Sequence, residues 1–169
     1  GFTMSFEARH TDFGQLWGRN NDKYIIPRYQ REYSWNREDV EIFWNDLNEP
    51  TQDLFLGSLV LKEKHNSRIE IIDGQQRMIT ISILYAALRE CAQKNGFPRQ
   101  ADKIHQDRLV EIGDFDDEEI GIIQVAPSLR DYFSRTIQRF PKPNFSNPRT
   151  KEEQRVRKNY LFFSEQMGK

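Results

Sequence analysis

At 169 residues, with 37% hydrophobic and 30% charged side chains, the chain is long enough for one sizeable core and too apolar for disorder, and no apolar run reaches bilayer length. Its net charge of -1 excludes global attraction to polyanions, so any nucleic-acid contact has to come from a local patch. A single cysteine, Cys91, excludes an internal disulfide; with three scattered histidines it does not make a zinc site, and it reads as a small hydrophobe on an apolar helix.

Gly1-Phe2-Thr3 ahead of Met4 reads as a cloning remnant, and the lack of an apolar leader points to a reducing cytoplasm. Phe13, Leu16 and Trp17 predict a short helix over 12–18, and Tyr24-Ile25-Ile26 a brief strand stopped by Pro27. From Arg28 to Trp35 two arginines and three aromatics crowd into eight residues. Such a loop either packs its aromatics over a core edge while arginine stems snorkel across it, or stacks aromatic faces on a base while arginines meet phosphate. Ser34 or Asn36 can cap a helix over 37–49, where Val40, Phe43, Trp44 and Leu47 form one apolar face and Pro50 ends it. A strand over 54–62 contains Gly57-Ser58, whose glycine suggests a bulge or a close backbone approach; through the polar turn at 64–67 it should form a hairpin with the strand at Ile69–Ile72.

That second strand leads into Asp73-Gly74-Gln75-Gln76-Arg77, and from Met78 to Leu88 the chain is too long an apolar run for anything but a helix, ending near Asn95-Gly96. The junction supports two readings. Asp73 as N-cap with Gln76 three residues on fits a capping box that binds nothing. Alternatively the first-turn N–H groups point at an anion, Gly74 lets a phosphate approach the backbone, and Arg77 offers a fork of donors to it. Beyond lie a short helix within 100–110 and a run from Glu111 to Glu119 with six acidic residues, read as a solvated loop without cation-binding spacing. A strand over 120–125, a helix from Pro127 to Arg139, a proline-rich loop and a last helix over 151–167 with Val156, Tyr160 and Phe163 on one face complete the chain. Its stop at Gln166-Met167-Gly168-Lys169 reads as the front part of a longer protein.

Three ordered blocks, IPRYQREYSW at 26–35, FLGSLVL at 55–61 and IIDGQQRMITI at 71–81, together resemble the N-terminal domain of GmrSD-type, modification-dependent restriction enzymes and related phage-defence proteins. The resemblance is strong over 11–95 and one of pattern beyond. It implies an α+β fold akin to ParB and sulfiredoxin: a small mixed sheet packed by helices, with a nucleotide-binding core over 4–98 and a mainly helical extension over 99–169. It implies a prokaryotic cytoplasmic protein, nucleoside triphosphate (NTP) binding and hydrolysis, and a nuclease domain, outside this chain, that cuts foreign or modified DNA. Sulfiredoxin's cysteine is absent, since position 75 is Gln. Met78 and Ile79 replace the usual leucine and threonine, changes that weaken nothing chemical.

On that reading Asp73, Gln75, Gln76 and Arg77 are the catalytic candidates, and Tyr29, Gln30, Arg31, Tyr33, Trp35, Gly57, Ser58 and Gly74 the nucleotide-binding ones. A glutamine orients the attacking water, arginines neutralise the phosphoryl group, and an aromatic stacks on the base. Asp73 beside a triphosphate needs an intervening Mg²⁺, or else only caps the helix. The expected partners are nucleotide and DNA, with no membrane. The alternative is a non-catalytic module that recognises DNA or a modified base. Direct nuclease action by this domain ranks below both, for want of clustered metal ligands.

Overall fold

The computed structural model describes residues 5–8, 23–25, 32–48, 59–63, 68–112, 118–141, 145 and 147–168. The expected helix over 12–18 and the candidates Tyr29, Gln30, Arg31, Gly57 and Ser58 lie outside them.

Strands β1 (Ser5–Ala8), β2 (Lys23–Ile25), β3 (Leu59–Glu63), β4 (Arg68–Asp73) and β7 (Ile123–Gln124) form one sheet in the order β1-β3-β4-β2-β7. The β3–β4 pair is the expected antiparallel hairpin, with its register shifting between Val60 and Leu61. β2 runs parallel to both β4 and β7. The acidic run is not a single loop: β5 (Val110–Ile112) and β6 (Glu119–Gly121) pair across it as a separate antiparallel ribbon. The strand expected over 120–125 is therefore divided. Ile122 donates its N–H to the Leu109 carbonyl at 2.9 Å, and the residues on either side serve different sheets.

Helix α1 (Arg37–Leu47) begins at Asn36, whose Oδ1 accepts from the Asp39 N–H while Asp39 Oδ2 accepts from the Asn36 N–H, a reciprocal capping box. Helix α2 (Gln75–Lys94) is the hub. Met78, Ile79, Ile81, Ile83, Leu84, Ala86 and Ala87 are all buried, so it is enclosed on most sides rather than striped. It ends as the sequence predicts, at Asn95 and then Gly96 with φ 84°.

Helices α3 (Pro98–Ile104) and α4 (Pro127–Phe133) both start at a proline, whose fixed φ suits a first turn, and each widens into a π-helical turn, over His105–Leu109 and Ser134–Gln138. The expected single helices over 100–110 and 127–139 are thus each shorter in their α-helical part. Helix α5 (Lys151–Met167) has the predicted bounds, with Thr150 Oγ1 accepting from the Glu153 N–H at 3.1 Å. It lies along α2 and also touches α1 and α4, placing Val156, Phe162 and Phe163 in one core with Ile122, Ile123 and Val125. The architecture is α+β and dominated by helices. No helix among the described residues is long and apolar enough to cross a membrane.

Candidate functional site

The strand-to-helix junction is built differently from a capping box. Asp73 stays in the β4 ladder opposite Val60, and Gly74, with φ 91° and ψ 14°, makes the turn and is itself the N-cap. The N-cap position is thus Gly74, which corrects the expectation that Asp73 occupies it. The left-handed backbone that glycine adopts without penalty moves the helix start one residue on, so Gln76 falls where its amide faces another part of the chain.

That part is the segment 32–36. Gln76 Oε1 accepts from the Ser34 N–H at 2.7 Å and from Ser34 Oγ at 3.2 Å, and Gln76 Nε2 donates to the Glu32 carbonyl at 3.1 Å. One residue along, the Arg77 guanidinium sits over the Trp35 ring, 5.9 Å from its centroid. The end of the aromatic-arginine loop and the glycine-to-arginine tetrad are therefore one place in space, although more than forty residues separate them in the chain. Gln75 is 7% exposed and Arg77 half-buried.

Tyr33 takes no part in a stacking surface, which corrects that assignment: at 1% exposed, its ring belongs to the core. Each of its polar groups is engaged. The N–H donates to Glu152 Oε2 at 2.8 Å, the carbonyl accepts from Arg155 Nη1 at 3.2 Å, and the hydroxyl accepts from Asn159 Nδ2 and bonds Thr80 Oγ1, both at 2.8 Å. Burial pushes the phenol far above its ordinary range, and the bonds to Thr80 and Asn159 offset part of that rise. Asn159 Nδ2 also reaches the Trp35 carbonyl at 3.1 Å, and Glu152 Oε1 accepts from Ser128 Oγ of α4 at 2.9 Å.

Glu152, Arg155 and Asn159 are site-building residues that the sequence reading missed. They stand at i, i+3 and i+7 of α5, a polar stripe beside the apolar one, and that spacing was the available signal.

Of the two aromatic candidates described in this segment, Trp35 lies against Arg77, whereas Tyr33 is in the core. Among the described residues no group of three His, Cys, Asp or Glu side chains could hold a metal ion.

The family model of the GmrSD restriction endonuclease N-terminal domain matches residues 13–167. No curated protein matches the chain. A match over nearly the whole length shows that the chain belongs to the family of GmrSD restriction endonuclease N-terminal domains.

Proposed function

We propose that the chain is an NTP-binding and NTP-hydrolysing domain of a DNA-restriction, phage-defence system, and that its fold is akin to ParB and sulfiredoxin. The observation that carries this is the start of α2: a glycine in the left-handed conformation turns the end of β4 into a twenty-residue helix, and an arginine in its first turn lies over a tryptophan. The positive end of a helix dipole favours an anion at such a start.

Phosphates lie against Gly74 and the first turn. Arg77, joined by Arg31, neutralises charge as the bond from the γ-phosphorus to the bridging oxygen breaks and water adds, giving a diphosphate and inorganic phosphate. Gln75 or Gln30 orients that water. Gln76 holds the 32–34 segment in place and is a positioning residue. Trp35, with Tyr29, lies on the base side. Asp73 would hold Mg²⁺, which when bound would supply charge neutralisation on the phosphates. DNA is the substrate of the larger system.

The chain with Mg²⁺ and each NTP should release phosphate, and Arg77→Ala should abolish release. No turnover with any NTP, together with salt-sensitive DNA binding, would establish the DNA-recognition reading instead.

A further inference from the structure

Asn159 stands in the middle of α5, 1% exposed, with its amide directed at the segment that carries Trp35. One arrangement of protons fits the bonds around it. Thr80 Oγ1 donates to the Gln76 carbonyl at 2.8 Å, so toward Tyr33 it accepts. The Tyr33 hydroxyl therefore donates to Thr80 and accepts from Asn159 Nδ2, each at 2.8 Å. The second Nδ2 proton goes to the Trp35 carbonyl at 3.1 Å. Both protons of one amide thus serve the loop, and the chain of bonds they start ends on a carbonyl in the first turn of α2.

The Trp35 carbonyl belongs to the residue whose ring lies against Arg77, with the guanidinium carbon 5.9 Å from the ring centroid. The same ring meets Phe43 of α1 edge-on, the centroids 6.0 Å apart and the planes at 63°, and Phe43 in turn meets Phe163 of α5 at 6.3 Å. Phe43 limits where the indole can turn, and the bond from Asn159 fixes the peptide group next to it. Without that bond, backbone, ring and guanidinium can shift together while the apolar contacts survive. A displacement of about 1 Å in a group that acts on the transition state costs on the order of a hundredfold in rate.

We infer that Asn159 is a positioning residue: through the Trp35 carbonyl it sets the place of the indole, and so of the Arg77 guanidinium. The inference rests on the reading of Arg77 as the group that neutralises the phosphoryl charge. Asn159 acts through Trp35 and not on the nucleotide itself.

The test uses the whole chain carrying Asn159→Leu, which fills a similar space and removes both donors. Its comparison is Val156→Ala, a change at a buried apolar position of the same helix. The Arg77 Nε–H resonance, identified by its loss in Arg77→Ala, is followed by heteronuclear NMR without nucleotide, because the ring current of Trp35 marks where the guanidinium lies. Asn159→Leu should displace this resonance toward the position it takes in Trp35→Leu, and should lower kcat/KM for NTP by about tenfold or more. Val156→Ala should lower the urea midpoint, leave the resonance in place and keep kcat/KM within about twofold. Should Asn159→Leu not fold, Asn159→Ser, whose hydroxyl stands one bond short of the Trp35 carbonyl, carries the same test. An unmoved resonance overturns the inference, as does an equal displacement in Val156→Ala or a displaced resonance with kcat/KM unchanged. If the unaltered chain releases no phosphate, the hydrolytic reading fails by itself, and the resonance alone decides the place of Asn159.

Discussion

Gly74 is where a single side chain would do most damage for least added mass. Its φ of 91° is a left-handed conformation that costs an L-residue about 1–2 kcal/mol. Gly74→Ala should lower the unfolding free energy by that amount, seen as a lower urea midpoint, and it should also weaken nucleotide affinity by standing a methyl group beside the first turn. An unchanged midpoint would show that the turn does not depend on glycine. Tyr33 illustrates what one residue can hide. In the sequence it belongs with Tyr29 and Trp35, and all three look like ligand-facing aromatics. Its partners Thr80 and Asn159 are 47 and 126 residues away, so no local pattern could disclose that it is a core residue with every polar group satisfied. Gln76 was misjudged for a related reason: its spacing from Asp73 suited a box, but one left-handed glycine redirected it to Ser34.

Among the elements, α5 does for the site what a short-range cap could not, because its polar stripe reaches the 33–35 segment across more than a hundred residues of chain. Glu152 is 5% exposed and joins Tyr33 of the loop to Ser128 of α4. Glu152→Ala leaves the Tyr33 N–H buried and unpaired and should cost about 1–3 kcal/mol in urea unfolding. At temperatures where the variant remains folded it should also raise the KM for NTP, because Trp35 and Arg77 lose their common support. Glu152→Gln keeps one acceptor oxygen and should recover part of both. A KM equal to that of the unaltered chain would sever α5 from the site. The long elements were legible because apolar spacing and caps are local: Asn36 and Thr150 both cap the helices they precede, and α5 has its predicted bounds. Strands β5, β6 and β7 were not, since two or three residues carry too little periodicity to show which sheet they join.

For the molecule as a whole, the buried tyrosines set an alkaline limit. Burial raises the phenols of Tyr33, Tyr132 and Tyr160 above the ordinary value of 10.0. In the unfolded chain they lose their protons near that value while the folded chain keeps them. Stability is therefore at its full level below about pH 10 and falls as the pH rises from there toward the folded values. Urea midpoints should hold steady from about pH 8 to the onset of tyrosine ionisation and then decline, with a shallower decline in Tyr33→Phe. A midpoint that stays level well above pH 10 would contradict the burial of these phenols. The α+β class was legible through the family resemblance carried by the three motif blocks. The insertion of β2 between β4 and β7 was not, because parallel neighbours leave no turn signal between them.

That insertion, with the reach of α5 back to Tyr33, also orders events on the ribosome. One neighbour of β2, the strand β7, emerges about a hundred residues after it, and the helix that satisfies Tyr33 emerges later than β7. A nascent chain can form the β3–β4 hairpin and α2 on its own, but it must carry Tyr33 with its polar groups in water until α5 leaves the exit tunnel. The contact between the two motif blocks thus gains its full support only after α5 has emerged.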